Sequence, residues 1–183
     1  EHHLKLLKRS DFGCFFIITP PKYAGQIRKV AGRFRATTCP LDIKWGQSGC
    51  IKKVAQKYNL KRFAVIYGDT LLDESVYRDA RTIYPDGKNY IFIEPVANRP
   101  NGLIKYNRSG RVTRISESGN IHRTRYTGRN AGMMILNRNI FKDETGHLMS
   151  DTLPKALDKI IYIKKCPPGY DIGTLEDYIK LIL

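Results

Sequence analysis

The sequence has no Cys-x-x-Cys pair; its four cysteines, Cys14, Cys39, Cys50 and Cys166, are scattered. That spacing argues against a zinc ribbon or a disulfide framework. It favours free thiols in a reducing compartment, so a cytoplasmic location is expected. No apolar run approaches the roughly 20 residues of a membrane span, and Glu1-His2-His3-Leu4 carries no secretory-signal pattern. Internal repeats, low-complexity tracts and linkers are absent as well, which leaves residues 1–183 as a single domain. His122 and His147 lack metal-ligand spacing, so a histidine-based metal site is not expected. Acid is scarce: 17 Asp and Glu stand against 32 Lys and Arg, a net charge of +15. A positive surface draws phosphate, whether in nucleotides, nucleic acid or anionic lipid, but it equally describes a well-solvated basic protein.

What is present is alternation. Phe12 to Thr19 reads as an apolar strand closed by Pro20-Pro21, and Tyr23 to Phe34 as a helix with Ile27, Val30, Ala31 and Phe34 on one face. Leu41 to Trp45 reads as a short strand, Gly49 to Tyr58 as a second amphipathic helix, and Phe63 to Tyr67 as a buried strand of the parallel kind. This order predicts an α/β fold with right-handed crossovers. The second half differs. Tyr90 to Val96 reads as a strand. Gly102 to Tyr106 and Arg111 to Ser116 flank the turn Asn107-Arg108-Ser109-Gly110, which predicts a β-hairpin. Ala131 to Leu136 is apolar again. Leu153 to Ile161 reads as a helix with Pro154 in its first turn, and Leu175 to Leu183 as a last helix capped by Thr174.

Phe63 to Tyr67 climbs to Gly68-Asp69 and stops. In open α/β sheets ligands bind beyond the carboxyl ends of the strands. A carboxylate there is placed to meet a ligand, with Gly68 leaving the backbone approachable. A second carboxylate, Asp171, precedes Ile172-Gly173-Thr174 in a similar setting. Two aspartates at two loop ends suit Mg²⁺ held jointly with phosphate oxygens. Each alone is equally at home in a solvated turn.

These stretches resemble the sugar-1-phosphate nucleotidyltransferases, nearest to the mannose- and heptose-1-phosphate guanylyltransferase and glucose-1-phosphate thymidylyltransferase branch. In chain order, "FAVIYGDTLLD" is similar to the family's strand ending in Gly-Asp. "NGLIKYNRSGRVTRISES" is similar to its hairpin, "NAGMMILNRNIF" to its Asn-Ala-Gly segment and "YDIGTLEDYIKLIL" to its closing segment. "LKLLKRSDFGCFFIITPPKYAGQIRKVAG" fits the second strand and the helix after it more loosely. The resemblance implies a three-layer, Rossmann-like mixed sheet with a hairpin insertion. It implies binding of a nucleoside triphosphate and a sugar 1-phosphate, nucleoside monophosphate transfer between them, and release of pyrophosphate. It makes Asp69 and Asp171 Mg²⁺ ligands and catalytic residues, sets Gly68 and Gly102 against substrate, gives Glu117 the sugar hydroxyls, and lines the sugar pocket with Asn130 and Gly132.

The departures shape the expectations too. The family's opening strand and glycine-rich phosphate loop have no counterpart, so the chain is expected to start in mid-fold with an unpaired sheet edge beside Phe12 to Thr19. "WGQSGCIKK" keeps only Gly46, Ser48 and Gly49 of the base-contacting loop. Ser118 stands where the family has a lysine, and Asn101 where it has a tyrosine. Arg123, Arg125 and Arg129 are candidates to hold phosphate in place of the lost cradle. The other reading is a catalytically inactive homologue, a basic structural, RNA-binding or protein-binding subunit. Tyr106 and Tyr126 among Arg108, Arg111, Arg114, His122, Arg123, Arg125 and Arg129 would suit stacking, or merely β-structure.

Overall fold

Strand and helix alternate through the first half, as the apolar runs predict. The computed structural model describes residues 1–96, 102–117, 124–141, 145–159, 161–174, 176 and 179. Its first elements are α1 (His2–Arg9), β1 (Phe16–Thr19), α2 (Ala24–Gly32), β2 (Thr37–Pro40) and α3 (Gly46–Lys57). They are followed by β3 (Arg62–Ile66), β4 (Thr70–Leu71), α4 (Glu74–Ile83) and β5 (Asn89–Glu94). Then come β6 (Leu103–Tyr106), β7 (Val112–Ser116), β8 (Thr127–Asn137), α5 (Leu153–Lys155), β9 (Ile161–Lys165) and β10 (Tyr170–Asp171).

Period-two alternation sorts the central strands between two cores, because successive strand side chains point to opposite faces. Phe63 and Val65 of β3, Ile91 and Ile93 of β5, and Met134 and Leu136 of β8 face a core that includes Ile51 of α3, the hairpin and Leu148 to Ala156. Ala64 and Ile66, Phe92, and Met133 and Ile135 face the other core, built with Leu6 and Leu7 of α1 and Val76, Tyr77 and Ala80 of α4. A sheet covered on both faces is the three-layer α/β architecture.

The sheet is mixed. Strand order is β7-β6-β8-β5-β9, with β3 also on β8. β5 and β9 are parallel, and both β3 and β5 run antiparallel to β8. Thus β3, β5 and β9 point the same way. β6 and β7 form the expected hairpin; Asn107 accepts Ser109 N–H at 3.1 Å through its side chain, and Gly110 takes φ +79°. β1 and β2 pair in parallel as a separate two-stranded sheet.

Several expectations need correction. Only Phe16–Thr19 of the Phe12 to Thr19 run is strand; Phe12 and Phe15 instead pack into the core with α1 and α4. Leu41 to Trp45 is not a strand. Pro40 closes β2, and Ile43–Trp45 is a 3-10 turn because Asp42 accepts Lys44 N–H at 3.0 Å. Leu153 to Ile161 is not one helix: α5 is three residues long, and Ile161 opens β9, whose β-branched residues find their ladder on β5. α4 was not expected; Asp73 caps it by accepting Ser75 N–H at 2.8 Å. Of the last helix, only Glu176 and Ile179 are described, and both are helical. No helix among the described residues is long and apolar enough to cross a membrane.

Candidate functional site

β8 changes partner halfway along its length. Thr127 to Arg129 pair with β6, and Met133 to Asn137 pair with β3. At the handover, Asn130 N–H donates to Gly102 O at 2.8 Å, and Tyr67 N–H donates to Gly132 O at 2.8 Å. The end of β3 and the start of β6 therefore meet across Asn130–Gly132. Gly132 holds φ +85°, and a Cβ there would lie 2.9 Å from Thr70 Oγ1. Glycine is required both by that φ and by the closeness of Thr70. Asn130 Oδ1 accepts Gly132 N–H at 3.0 Å and fixes the turn.

The two aspartates converge beside this point. β4 and β10 pair antiparallel, with Asp171 opposite Thr70, and Ile172 N–H donates to Asp69 O at 2.7 Å. A Cβ on Gly173 would lie 3.1 Å from Asp171 Oδ1 and 3.4 Å from Asp69 Oδ2. Both carboxylates thus border one small space that glycine leaves open. Gly173 N–H donates to Asp171 Oδ1 at 2.9 Å. A Cβ on Gly68 would meet nothing within 4 Å, so the approach to Asp69 is unobstructed from that side.

Tyr67 joins the group and was not singled out in the sequence. Burial pushes its phenol far above the usual range. The Glu117 and Asp69 carboxylates add to the shift, and a hydrogen bond with the Asn130 side chain opposes it. The Glu117 carboxyl is raised by burial, against the pull of His147 and of a hydrogen bond from Gly102 N–H. Gly102, Glu117, Asn130, Gly132, Asp69 and Asp171 therefore surround one region, with Tyr67, Thr70 and His147 as further members. Nothing local in the sequence marks these last three, since their neighbours lie on other strands.

The arginines behave differently. Arg129 pairs with Glu94 at 3.3 Å, with side chains 16% and 6% exposed, and so is already committed. Arg125 lies over the Tyr126 ring in a separate groove. Arg123, His122, Ser118 and Asn101 lie outside the described residues. The Gly46, Ser48, Gly49 stretch is taken up by packing. Gly46 has φ +62°, with a Cβ position 2.5 Å from Gly146 O. Ser48 N–H donates to Gly146 O at 3.1 Å, and the Ser48 hydroxyl accepts from Thr152.

Among the described residues, no three His, Cys, Asp or Glu side chains cluster as a metal cage. The paired carboxylates and the open space at Gly173 instead fit a hard divalent cation that takes its other ligands from phosphate oxygens and water.

Three solved structures show a similar arrangement of the chain. HddC from Yersinia pseudotuberculosis complexed with GMP-PN matches with TM-score 0.74 and 24% identity, over 97% of this chain and 80% of that one. The chain shares its Rossmann-type α/β fold. UDP-glucose pyrophosphorylase complexed with UDP-glucose matches with TM-score 0.74 and 17% identity, over 98% of this chain and 82% of that one. CTP:phosphocholine cytidylyltransferase from Streptococcus pneumoniae matches with TM-score 0.75 and 15% identity, again over 98% and 82%. No protein-family model matches the chain, and no curated protein matches it in sequence. The TM-scores establish the Rossmann-type α/β architecture; at identities this low, function rests on the site.

Proposed function

We propose that this chain is a sugar-1-phosphate nucleotidyltransferase domain. The observation that carries the proposal is the convergence of Asp69 and Asp171 on the space left by Gly173, beyond the carboxyl end of β3. In the proposed reaction an oxygen of the sugar phosphate attacks the α-phosphorus of a nucleoside triphosphate. The bond from that phosphorus to the bridging oxygen breaks, and pyrophosphate leaves with the electron pair. Asp69 and Asp171 would hold Mg²⁺, which when bound supplies charge neutralisation to the phosphates. Glu117 and Asn130 would accept and donate hydrogen bonds to sugar hydroxyls, with Gly102 and Gly132 giving backbone access. Tyr67, kept neutral, holds Asn130 in its rotamer. Positioning is the protein's main contribution, since no covalent intermediate is needed.

The test follows pyrophosphate from the protein, Mg²⁺, each nucleoside triphosphate and a panel of sugar 1-phosphates. Asp69→Asn and Asp171→Asn are expected to lower turnover by at least about 100-fold, the upper range for residues that merely support metal ligands. Rates unchanged in both variants would overturn the assignment. The second reading, an inactive homologue, draws on the commitment of Arg129 to Glu94 and of Ser48 to Gly146. These contacts withdraw one guanidinium and one backbone N–H from a triphosphate. Calorimetric titration with Mg²⁺ and each nucleotide separates the two: a Kd at or below about 1 μM would eliminate the inactive reading's prediction of weak binding.

A further inference from the structure

A groove of about 460 Å³ lies between the hairpin turn and β9, lined by Tyr106, Arg108, Arg125, Tyr126, Ile163 and Lys165. Its walls are fastened to each other. Gly110 O accepts Ile163 N–H at 2.8 Å, and Arg111 bridges to Tyr162. The Tyr106 hydroxyl donates to Arg125 O at 3.3 Å, and the Tyr106 and Tyr126 rings meet edge to face at 6.0 Å. The Arg125 guanidinium sits 4.8 Å from the centre of the Tyr126 ring. Arg108, Arg125 and Lys165 are exposed, and among the described residues no carboxylate lines the groove or pairs with any of them. Three like charges held around one depression, on a chain of net charge +15, leave a site that an anion would stabilise.

The volume lies within the range of small-ligand sites. Its cations come from three separate segments: Arg108 from the hairpin turn, Arg125 from the approach to β8 and Lys165 from the end of β9. Three cations spread around an open, aromatic-lined groove suit successive phosphates, one to each. Cations flanking a half-buried tyrosine are also the elements of single-strand binding, where backbone charge and base stacking act together.

We propose that this groove binds single-stranded nucleic acid, independently of the Asp69–Asp171 site. Arg108, Arg125 and Lys165 contact successive phosphates, and one base lies against Tyr126. Fluorescence anisotropy with a labelled single strand of about 12 nucleotides tests this. The expected slope of log affinity on log salt is at least about −2, from three phosphate contacts at roughly 0.7 each. Arg108→Ala/Arg125→Ala/Lys165→Ala should lose at least about tenfold in affinity, and the single variants Arg108→Glu and Lys165→Glu should weaken binding in the same direction. Asp69→Asn and Asp171→Asn should leave it unchanged. Absence of strand binding, or binding indifferent to all the groove variants, overturns the proposal. Equal competition by a mononucleotide or pyrophosphate would mark a small-phosphate site instead and overturn the strand assignment. Equal affinity for duplex would overturn the stacking contact.

Discussion

Glu94 ends β5 with its carboxylate inside the protein. Oε1 meets Arg129 at 3.3 Å, and Oε2 accepts Gly169 N–H at 2.8 Å. One side chain thereby ties β5 to β8 just before Asn130 and to the turn that leads into Asp171. It also adds to burial in pushing the Cys166 thiol up to about 12. Removing one member of a buried ion pair leaves the other uncompensated, at roughly 3 kcal/mol or more. Glu94→Ala should therefore destabilise by about that amount in urea denaturation. Glu94→Met/Arg129→Met should recover most of the loss, because an apolar pair of similar volume is often neutral. Additive losses in the double variant would refute the account. Asp69 and Asp171 were legible in the sequence because each sits at an element end with glycine nearby. Glu94, Tyr67 and Thr70 were not, because what gives them meaning lies on strands 35 or more residues away, as Arg129 does from Glu94.

At the scale of elements, α1 depends on a neutral histidine. Leu6 and Leu7 pack with Val76, Tyr77 and Ala80 of α4, and His3 Nδ1 is hydrogen-bonded to the Tyr77 hydroxyl. Burial, with neighbouring His2 second, lowers the His3 pKa from 6.5 to about 4. Between those values the unfolded chain takes up a proton that the folded chain refuses. Stability is thus full above pH 6.5 and falls as pH drops toward 4. A pH unit is worth about 1.4 kcal/mol, so the whole window is worth on the order of 3 kcal/mol. His3→Gln should flatten unfolding midpoints measured from pH 7 to 5.5, a range in which carboxylates change little; an unaltered slope would sink the assignment. Other elements divide by how local their causes are. Near-continuous apolar runs make β3 and β5 readable, and Asn107-Arg108-Ser109-Gly110 carries the turn chemistry that makes the hairpin readable. Only Ile161 of β9 falls in the Leu153 to Ile161 run that reads as a helix, and a short apolar run does not choose its period; five paired residues on β5 decide it. α4 shows its apolar stripe, Val76, Tyr77 and Ala80, only once Asp73 is seen as a cap rather than as part of a loop.

For the molecule as a whole, two strand edges stand unpaired among the described residues. Phe15 O and Thr19 O accept Thr37 N–H and Leu41 N–H, so alternation turns the amides of Phe16 and Ile18 away from β2. In β3, Lys61 O and Tyr67 N–H serve β8, which turns Ala64 and Ile66 toward the other edge; Arg62 O there is taken by the Tyr84 hydroxyl. β3 is apolar after Arg62 yet only half-buried along its length, and Ile18 is 37% exposed. The expected open edge beside β1 is therefore present, and β3 offers a second. Exposed apolar edges with free amides template pairing with another strand. We expect this chain to self-associate as its concentration rises, through these edges, despite the repulsion of a +15 charge. That repulsion fixes a second sign: added salt should promote association, since screening removes the opposing term and leaves apolar contact intact. Sedimentation velocity over a concentration series checks both signs. Ile18→Lys puts a charge on the exposed edge without touching either core, and it should hold the chain monomeric while leaving its melting temperature unchanged. If wild type and Ile18→Lys sediment alike at every concentration and salt, the edges are not where this protein meets another chain.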